Sequence, residues 1–432
     1  MAAGQAVARP SVVGVPLDFI LFALVLLGVA LFHHHTLRVA VTGAVVLTLY
    51  QALVTGFKAG AGAAGLAGHF GHEWVTLANL LGLLLGFALL ADHFEKSRLP
   101  EVLPKYLPDD WKGGFVLLLG VFVMSSFLDN IAAAMIGGTM ASVLFQRRVH
   151  IGYLAAIVAA SNAGGAGSVV GDTTTTMIWI AGASPLAVLE AYVGGIVAIG
   201  IFGVIASRQQ HAYQPIQKDD TPGAKVEYGR VAVVAVILLA AICANVWFNL
   251  HDVSVLDRFP VIGSAVMVAL LVTAPFRAPT WSLLPGAFKG SVFLLSLVWC
   301  ASLMPVDHLP SPSWGSTMGL GFLSAVFDNI PLTALAIRQD GYDWGFLAFG
   351  VGFGGSMVWF GSSAGVALSN MFPEARSALA WIKGGWHVAL GYVAGYLVMV
   401  AVVGWHPTPI KQSMGAAATA TVPVAAASGV RP

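Results

Sequence analysis

Two short stretches of this chain decide its fold: SSFLDNI at residues 125–131 and SAVFDNI at residues 324–330, at an offset of 199 residues. Each stretch places an Asp-Asn pair in the middle of an otherwise apolar segment, 113–146 in the first case and 312–338 in the second. Charged residues are rare inside apolar segments because burying an unpaired charge is costly. A pair that occurs twice therefore needs a structural or chemical reason.

The composition around these segments is that of a membrane protein. Of the 432 residues, 57% are hydrophobic and only 9% are charged, whereas a soluble domain carries about a quarter charged residues. The net charge of +1 excludes a nucleic-acid-binding protein and a polybasic surface protein. Cys243 and Cys300 both lie in apolar runs and are expected to be core residues, so neither a disulfide framework nor a CxxC metal site is available.

The apolar windows predict an all-α polytopic membrane protein with about ten spans and two re-entrant hairpins. Eight windows are long enough to cross a bilayer as plain helices. They are 16–33, 36–55, 75–92, 185–207, 229–249, 258–275, 287–304 and 382–404. Four further stretches are interrupted by polar or glycine-rich sequence, namely the hairpins 113–146 and 312–338 and the broken spans 151–182 and 344–371. Irregular backbone at membrane depth must be buried in protein or line a wet cavity, so the function is expected in these four stretches.

A second pattern shows that the chain is duplicated. Two glycines, five residues and then a Gly-Asp or Gly-Ser pair occur twice at an offset of 190 residues. The matching residues are Gly164, Gly165, Gly171 and Asp172 in the first copy and Gly354, Gly355, Gly361 and Ser362 in the second. An odd number of predicted crossings separates the two hairpins, so the halves are predicted to lie upside down relative to each other. Such inverted repeats with broken helices are the architecture of secondary transporters.

The distribution of Lys and Arg predicts the orientation and the domains. The predicted topology puts 15 of these residues on one side and 6 on the other, so the first side is expected to be cytoplasmic and both termini periplasmic or extracellular. The predicted segments are an N-terminal tail (1–15), first-half scaffold spans (16–112), first-half transport elements (113–207), a cytoplasmic linker (208–228), second-half scaffold spans (229–311), second-half transport elements (312–404) and a disordered C-terminal tail (405–432).

Polar residues of the interrupted stretches are the candidate binding residues. An ionised Asp at the bilayer centre costs about 2.5 to 3.5 kcal/mol, so it normally faces a cavity, a partner or a bound cation. The predicted cation and proton ligands are Asp129, Asn130, Asn162, Asp172, Thr173, Thr174, Asp328 and Asn329. The predicted supporting residues are Ser125, Ser126, Ser324, Ser362 and five glycines of the repeat, Gly164, Gly165, Gly171, Gly354 and Gly355. Carboxylate, amide and hydroxyl oxygens suit a hard cation such as Na⁺, which we expect at Asp129 and Asp172.

The same residues also fit structural roles. Asp and Asn are favoured N-caps, so each Asp-Asn pair can cap a half-helix, which is compatible with ion binding. Asp172 can be a loop residue satisfied by backbone N–H groups, and the hydroxyls of 173–176 can bond back to their own helix, in which case only the first two face the site. Glu190 is expected at the membrane interface, and the His tract 33–35 at a span boundary rather than at a metal. The glycines are expected to permit close helix approach.

At these motifs the chain resembles the ion transporter superfamily, and within it the NhaD type of sodium/proton antiporter. The fragment NAGG at 162–165 followed by Gly171-Asp172 is similar to the superfamily's Asn-x-Gly-Gly and Gly-Asp signature. Arsenite pumps continue that signature with Pro-Pro-Asn, whereas TTTTMIW at 173–179 looks like the NhaD type, as do GGS at 354–356 and GSSAGVAL at 361–368. The resemblance implies a homodimer with a scaffold domain and a mobile transport domain.

The hypothesis is therefore a Na⁺(Li⁺)/H⁺ antiporter, not an enzyme, in the inner (plasma) membrane of a prokaryote, with no cofactor. A carboxylate kept from water and near another carboxylate holds a proton readily, so Na⁺ and H⁺ can compete for it. Ser362 stands where the first half has Asp172, so one principal cation site is expected near the first-half loop. The alternatives are proton-coupled efflux of arsenite or another small solute, a dicarboxylate or citrate carrier, which three carboxylates disfavour, and an intramembrane aspartyl protease using Asp129 and Asp172.

Overall fold

The computed structural model describes residues 10–32, 35–102, 107–217, 225–256 and 258–410. Several sequence predictions fall outside these ranges: most of the N-terminal tail, His33 and His34 of the His tract, the middle of the linker (218–224) and the end of the C-terminal tail (411–432).

The described part of the chain is almost entirely helical. A short hairpin of β1 (Ser11–Val12) and β2 (Val15–Pro16) precedes the helices. The first-half helices are α1 (Leu17–Leu31), α2 (Thr36–Tyr50), α3 (Gly62–Lys96), α4 (Leu99–Val102), α5 (Trp111–Ser125), α6 (Asn130–Leu144), α7 (Ile151–Ala166), α8 (Thr173–Ile180), α9 (Pro185–Leu189) and α10 (Ala191–Tyr213). The second-half helices are α11 (Tyr228–His251), α12 (Val253–Leu256), α13 (Val261–Thr273), α14 (Leu284–Ser302), α15 (Trp314–Ser324), α16 (Asn329–Gln339), α17 (Trp344–Leu347), α18 (Ser363–Met371), α19 (Ala378–Gly384) and α20 (Trp386–Val402).

Shorter helical turns interrupt or extend these helices. π-helical turns are formed by Gln51–Thr55 and Ala348–Phe353, and 3₁₀ turns by Trp281–Leu283, Val306–His308, Gly355–Met357 and Pro373–Arg376. Within the described residues, five helical segments are long and apolar enough to cross a membrane, or six if α19 and α20, which meet at 62°, count as one span. The all-α polytopic membrane fold is thus confirmed, while the total of ten spans stays a prediction.

Six helices form one group, which we call the plain-helix bundle: α1, α2, α3, α11, α13 and α14. Small residues set its close contacts, as is usual between membrane helices. A Cβ on Gly82 of α3 would lie 2.8 Å from the Cα of Gly263 on α13, and the backbone N–H of Gly263 donates to Asn79 Oδ1 at 3.0 Å. The middle of the long helix α3 therefore packs closely on α13. The opposite side of α3 faces the rest of the molecule.

The hairpins, the broken spans and the closing helices form the second group, the broken-helix bundle. Here α5, α6 and α7 pack on one another, α10 packs on α20, and the π turn Ala348–Phe353 packs against α7 and α15. Contacts come in pairs across the duplication: α6 packs on α18 as α16 packs on α8, and α2 packs on α14 as α13 packs on α3. Two interlocked copies of one motif produce such pairs, whereas the opposite orientation of the halves stays a prediction.

Three sequence predictions need correction. Cys300 is buried, but Cys243 is exposed on α11, because an apolar helix in a membrane protein can turn any face to lipid. The predicted tail is not free from Trp405: the Trp344 indole donates to the Thr408 carbonyl oxygen at 2.7 Å, and the His406 N–H donates to Asp343 Oδ2 at 2.7 Å. The linker also begins later than predicted, since α10 continues to Tyr213.

Candidate functional site

Each of the three aspartates stands at the N-terminus of a half-helix. One carboxylate oxygen of each accepts a hydrogen bond from the backbone N–H two residues further on. The pairs are Asp129 with Ile131 (3.2 Å), Asp172 with Thr174 (3.2 Å) and Asp328 with Ile330 (3.0 Å). The capping role is therefore real at all three positions, and it uses only one oxygen of each carboxylate.

The second oxygen of Asp172 points into the protein beside Gly352. The Asp172 residue is 2% exposed, and Thr174 is fully buried. A Cβ added to Gly352 would lie 3.2 Å from Asp172 Oδ2 and 3.5 Å from Thr174 Oγ1, so both oxygens face the same small space. Neither atom has a hydrogen-bond partner of acceptable geometry in the described part of the chain. The Thr174 hydroxyl is also the side-chain donor that acts on the Asp172 carboxylate. Cation binding between these two buried oxygens stays a prediction.

The other hydroxyls of the Thr run bond back to the backbone. Thr175 Oγ1 donates to the Ser168 and Asp172 carbonyl oxygens at 2.6 and 2.8 Å. Thr176 Oγ1 donates to the Val169 and Asp172 carbonyl oxygens at 2.8 and 2.9 Å. Only Thr173 and Thr174 remain available to a ligand, as the sequence led us to expect, and cation binding by them stays a prediction.

Asp129 and Asp328 line one cavity of about 480 Å³ between the two bundles. Its walls come from α3 and α14 on one side and from both hairpin tips and α18 on the other. Ser363 Oγ donates to Asp328 Oδ2 at 3.2 Å within this cavity. Asp172 does not line it, although its charge acts on both hairpin carboxylates. The carboxylates thus occupy two compartments, a cavity with two of them and a buried space with the third.

The buried amides form a chain that crosses from one half to the other. Asn130 Nδ2 donates to Asn162 Oδ1 at 3.0 Å, and Asn162 Nδ2 donates to Ser356 Oγ at 2.9 Å. The Trp381 indole N–H donates to the Ser356 carbonyl oxygen at 3.2 Å. Asn162 therefore connects a hairpin, a broken span and the second half, and both of its polar atoms already have protein partners. Its counterpart in the other hairpin, Asn329, has a buried Nδ2 without a described partner.

The predicted supporting serines mainly tie the hairpins to the broken spans. Ser126 Oγ donates to the Gly164 carbonyl oxygen at 3.3 Å, and Ser324 Oγ donates to the Val351 carbonyl oxygen at 2.7 Å. Ser362 caps α18 by accepting from the Gly365 N–H at 3.3 Å. Ser125 is fully buried, and its hydroxyl has no hydrogen-bond partner among the described residues.

The repeated glycines allow the hairpins and broken spans to touch backbone to backbone. A Cβ at Gly164 would lie 2.0 Å from the Phe122 carbonyl oxygen, and one at Gly354 would lie 2.3 Å from that of Gly321. The later glycines repeat the relation, with 2.1 Å from the Gly171 Cβ to the Ser125 oxygen and 2.6 Å from the Gly361 Cβ to the Ala325 oxygen. Gly165 and Gly355 face the oxygens of Gly171 and Gly361 at 2.6 and 2.5 Å. Equivalent glycines thus meet closely equivalent backbone atoms in both halves.

Sequence reasoning missed three residues of the site: Gly352, Ser356 and Ser363. The sequence held part of this information, since Ser356 lies within the repeated motif and Ser363 directly after it. Gly352 aligns with Asn162 at the offset of 190 residues. Glu190 directly precedes α10, and its charged neighbours are Asp343 and His406.

The charges of the site are all negative. Among the described residues, none of the three aspartates forms an ion pair with Lys, Arg or His, whereas Glu73 of α3 does pair with Arg338 of α16. The described residues also contain no group of three or more His, Cys, Asp or Glu side chains that could hold a metal ion. A cation in this site therefore depends on one or two carboxylates and on neutral oxygens, which suits a monovalent ion better than a tightly held divalent one.

Comparison with known proteins agrees with this picture. No protein-family model matches the chain. It is 26% identical over 375 residues to "Sodium/proton antiporter 1" of Arabidopsis thaliana. The aligned region covers 78% of this chain and 62% of that protein. It is also 26% identical over 385 residues to the "Na(+)/H(+) antiporter NhaD" of Vibrio parahaemolyticus, covering 74% and 89%, and 25% identical over 385 residues to that of Vibrio cholerae, covering 76% and 79%. The resemblance seen in the motifs is thereby confirmed: over about three quarters of its length, the chain is similar to sodium/proton antiporters of the NhaD type.

Proposed function

We propose that this protein is a Na⁺(Li⁺)/H⁺ antiporter of a prokaryotic inner membrane. The names of its relatives support the reaction. The observation that carries the proposal for the site is Asp172, a buried carboxylate whose free oxygen shares a space with the Thr174 hydroxyl and has no cationic side chain against it. Such a group lowers its energy by taking up either a small cation or a proton, and it cannot hold both.

The exchange follows from that competition. Asp129 and Asp328 attract a cation from water into the cavity between the bundles, because both carboxylates face that cavity and each lies in the negative field of Asp172, which an entering cation offsets. The ion then passes to Asp172 and Thr174. Protonation of Asp172 releases it, and loss of that proton on the other side of the membrane allows the next ion to bind. Asn130 and Asn162 join the first hairpin to the first broken span and to Ser356 of the second half. The amide oxygens of Asn130 and Asn329 are neutral ligands along this path.

Movement of one bundle against the other would expose the site alternately to the two sides. We assign 16–112 and 229–311 to the scaffold, and 113–207 and 312–404 to transport. The cavity lies at the boundary between the two groups of helices, where such a movement would open or close it. The proposal includes a homodimer with both termini on the periplasmic side.

The first experiment measures collapse of an acid-inside pH gradient in everted vesicles on addition of NaCl, LiCl, KCl or arsenite. We expect Na⁺ and Li⁺ to alkalinise the interior, and Asp172→Asn to reduce this exchange at least 100-fold, because the amide carries no charge to trade between ion and proton. Ser362→Ala is the matched control, since Ser362 caps the equivalent half-helix without a carboxylate and should retain most of the activity.

Two results would contradict the proposal. Na⁺-dependent proton movement that persists in correctly folded Asp172→Asn would remove Asp172 from the site. A response to arsenite alone in the wild-type protein would replace the cation with a neutral hydroxide as the substrate.

A further inference from the structure

We propose that Gly352 is a specificity-determining residue: its missing side chain sets the size of the space in which the cation binds Asp172 and Thr174. This inference rests on the function proposed above, and it concerns a position that provides no polar side chain. The size of this space would determine how the antiporter discriminates between smaller and larger monovalent cations.

The duplication shows what is special about this position. Gly352 is the counterpart of Asn162 at the offset of 190 residues. In the first half that position is filled by an amide that bonds to Asn130 and Ser356. In the second half the side chain is absent, and the oxygens of Asp172 and Thr174 point toward it instead.

The geometry places these atoms against a single vacant methyl position. An ideal Cβ at Gly352 would lie 3.2 Å from Asp172 Oδ2, 3.5 Å from Thr174 Oγ1 and 3.6 Å from Ala166 Cβ. These are contact distances, so the methyl group fits with a shift of a few tenths of an ångström rather than a collision with backbone. An ion bound between the two oxygens would occupy the same region, and ion and methyl group therefore exclude each other.

The space beside Gly352 matters energetically because the oxygens that face it are buried. Asp172 is 2% exposed and Thr174 is fully buried, so bulk water cannot satisfy their free oxygens. A buried carboxylate oxygen left without a donor is costly, and a dehydrated cation in the vacancy removes that cost. Since K⁺, Na⁺ and Li⁺ decrease in radius in that order, a smaller space penalises Na⁺ more than Li⁺.

The test is Gly352→Ala, with half-saturating Na⁺ and Li⁺ concentrations measured by gradient collapse in proteoliposomes. We expect the Na⁺ value to rise at least 10-fold and the Li⁺ value to rise less, so that the ratio of Na⁺ to Li⁺ increases. Gly350→Ala is the matched control: it lies in the same π turn, and its Cβ would also come within 3.2 Å of a neighbour, but that neighbour is the Thr317 carbonyl oxygen on α15. The control should leave the ratio unchanged.

The outcomes separate this inference from the proposed function. Two results overturn the inference alone, provided that the wild-type protein exchanges Na⁺ and Li⁺ for protons. One is a ratio of Na⁺ to Li⁺ half-saturation in Gly352→Ala that equals the wild-type ratio. The other is a change of this ratio in Gly350→Ala as large as that in Gly352→Ala. Absence of Na⁺ and Li⁺ exchange in the wild type overturns both. If Gly352→Ala does not yield folded protein, Thr174→Val removes the second oxygen at nearly constant volume, and an unchanged Na⁺ half-saturation in that variant overturns the inference.

Discussion

In the first half the broken span consists of α7, a loop and α8. In the second half it consists of α17, the π turn Ala348–Phe353, the turn Gly355–Met357 and α18. Both pack on the neighbouring hairpin through glycines at equivalent positions, and backbone blocks the Cβ positions of both Gly164 and Gly354. The side chains at the breaks differ, since Asp172 caps one half-helix and Ser362 the other. The backbone framework and the chemistry placed on it are therefore separable.

Under the proposed function, this difference lets a duplicated protein build one site rather than two. The first half provides the charged oxygen, and the second half provides the room for it at Gly352 and the anchor for Asn162 at Ser356. Neither broken span contains all three features. Substitutions at equivalent positions can therefore show whether framework and chemistry are independent in practice.

The largest effect is expected from the shared framework. Gly164→Ala and Gly354→Ala should each cause loss of most folded protein, because the added Cβ would lie 2.0 or 2.3 Å from a backbone oxygen that cannot move away. Overpacking typically costs about 1 to 3 kcal/mol and occasionally more. A Cβ pressed against backbone belongs at the upper end of this range, which is a large part of a typical stability of about 5 to 15 kcal/mol. The measurement is the yield of monodisperse protein in size-exclusion chromatography.

The controls for the glycine pair lie on α5 and α15, the hairpin helices that Gly164 and Gly354 contact. A Cβ on Gly120 of α5 or Gly319 of α15 meets nothing within 4 Å, so these substitutions by Ala should leave the yield unchanged or slightly higher. If one half tolerates the Ala and the other does not, the two frameworks are not equivalent.

An intermediate effect is expected from the connection between the halves. Ser356→Ala leaves Asn162 Nδ2 buried without its acceptor, which costs about 1 to 3 kcal/mol. We expect a melting temperature lower by a few degrees and exchange that is slower but still selective for Na⁺ and Li⁺. Thermal unfolding in detergent and vesicle transport measure the two effects.

Ser161→Ala is the control for Ser356→Ala. Ser161 is as buried as Ser356, but its hydroxyl donates only to the Val158 carbonyl oxygen of its own helix at 2.9 Å. A drop in melting temperature as large for Ser161→Ala as for Ser356→Ala would mean that the amide chain adds nothing specific.

The sequence could predict where the helices break but not what meets at the breaks. Asp-Asn pairs and glycines act locally, by capping a helix or allowing close backbone approach, so Asp129, Asp172 and Asp328 were identifiable from their neighbours alone. The bond from Asn162 to Ser356 joins residues 194 positions apart and depends on how the two halves interlock. Gly352 was missed for a related reason: a residue without a side chain gives no chemical signal until its neighbours are known.

The smallest effect concerns two equivalent hydroxyls, Ser363 and Thr173, which begin α18 and α8. Ser363 Oγ donates to Asp328 Oδ2 across the cavity at 3.2 Å, whereas Thr173 has no described hydrogen bond to Asp129. Ser363→Ala removes a bond worth about 0.5 to 1.5 kcal/mol, so the half-saturating Na⁺ concentration should change about 2- to 10-fold with folding intact. Thr173→Ala should change it less than about 2-fold, because on this geometry Thr174 rather than Thr173 faces the ion. A larger effect of Thr173→Ala than of Ser363→Ala would indicate that the ion binds nearer the first hairpin than Gly352. The first half would then contribute more ligands to the site than the second half.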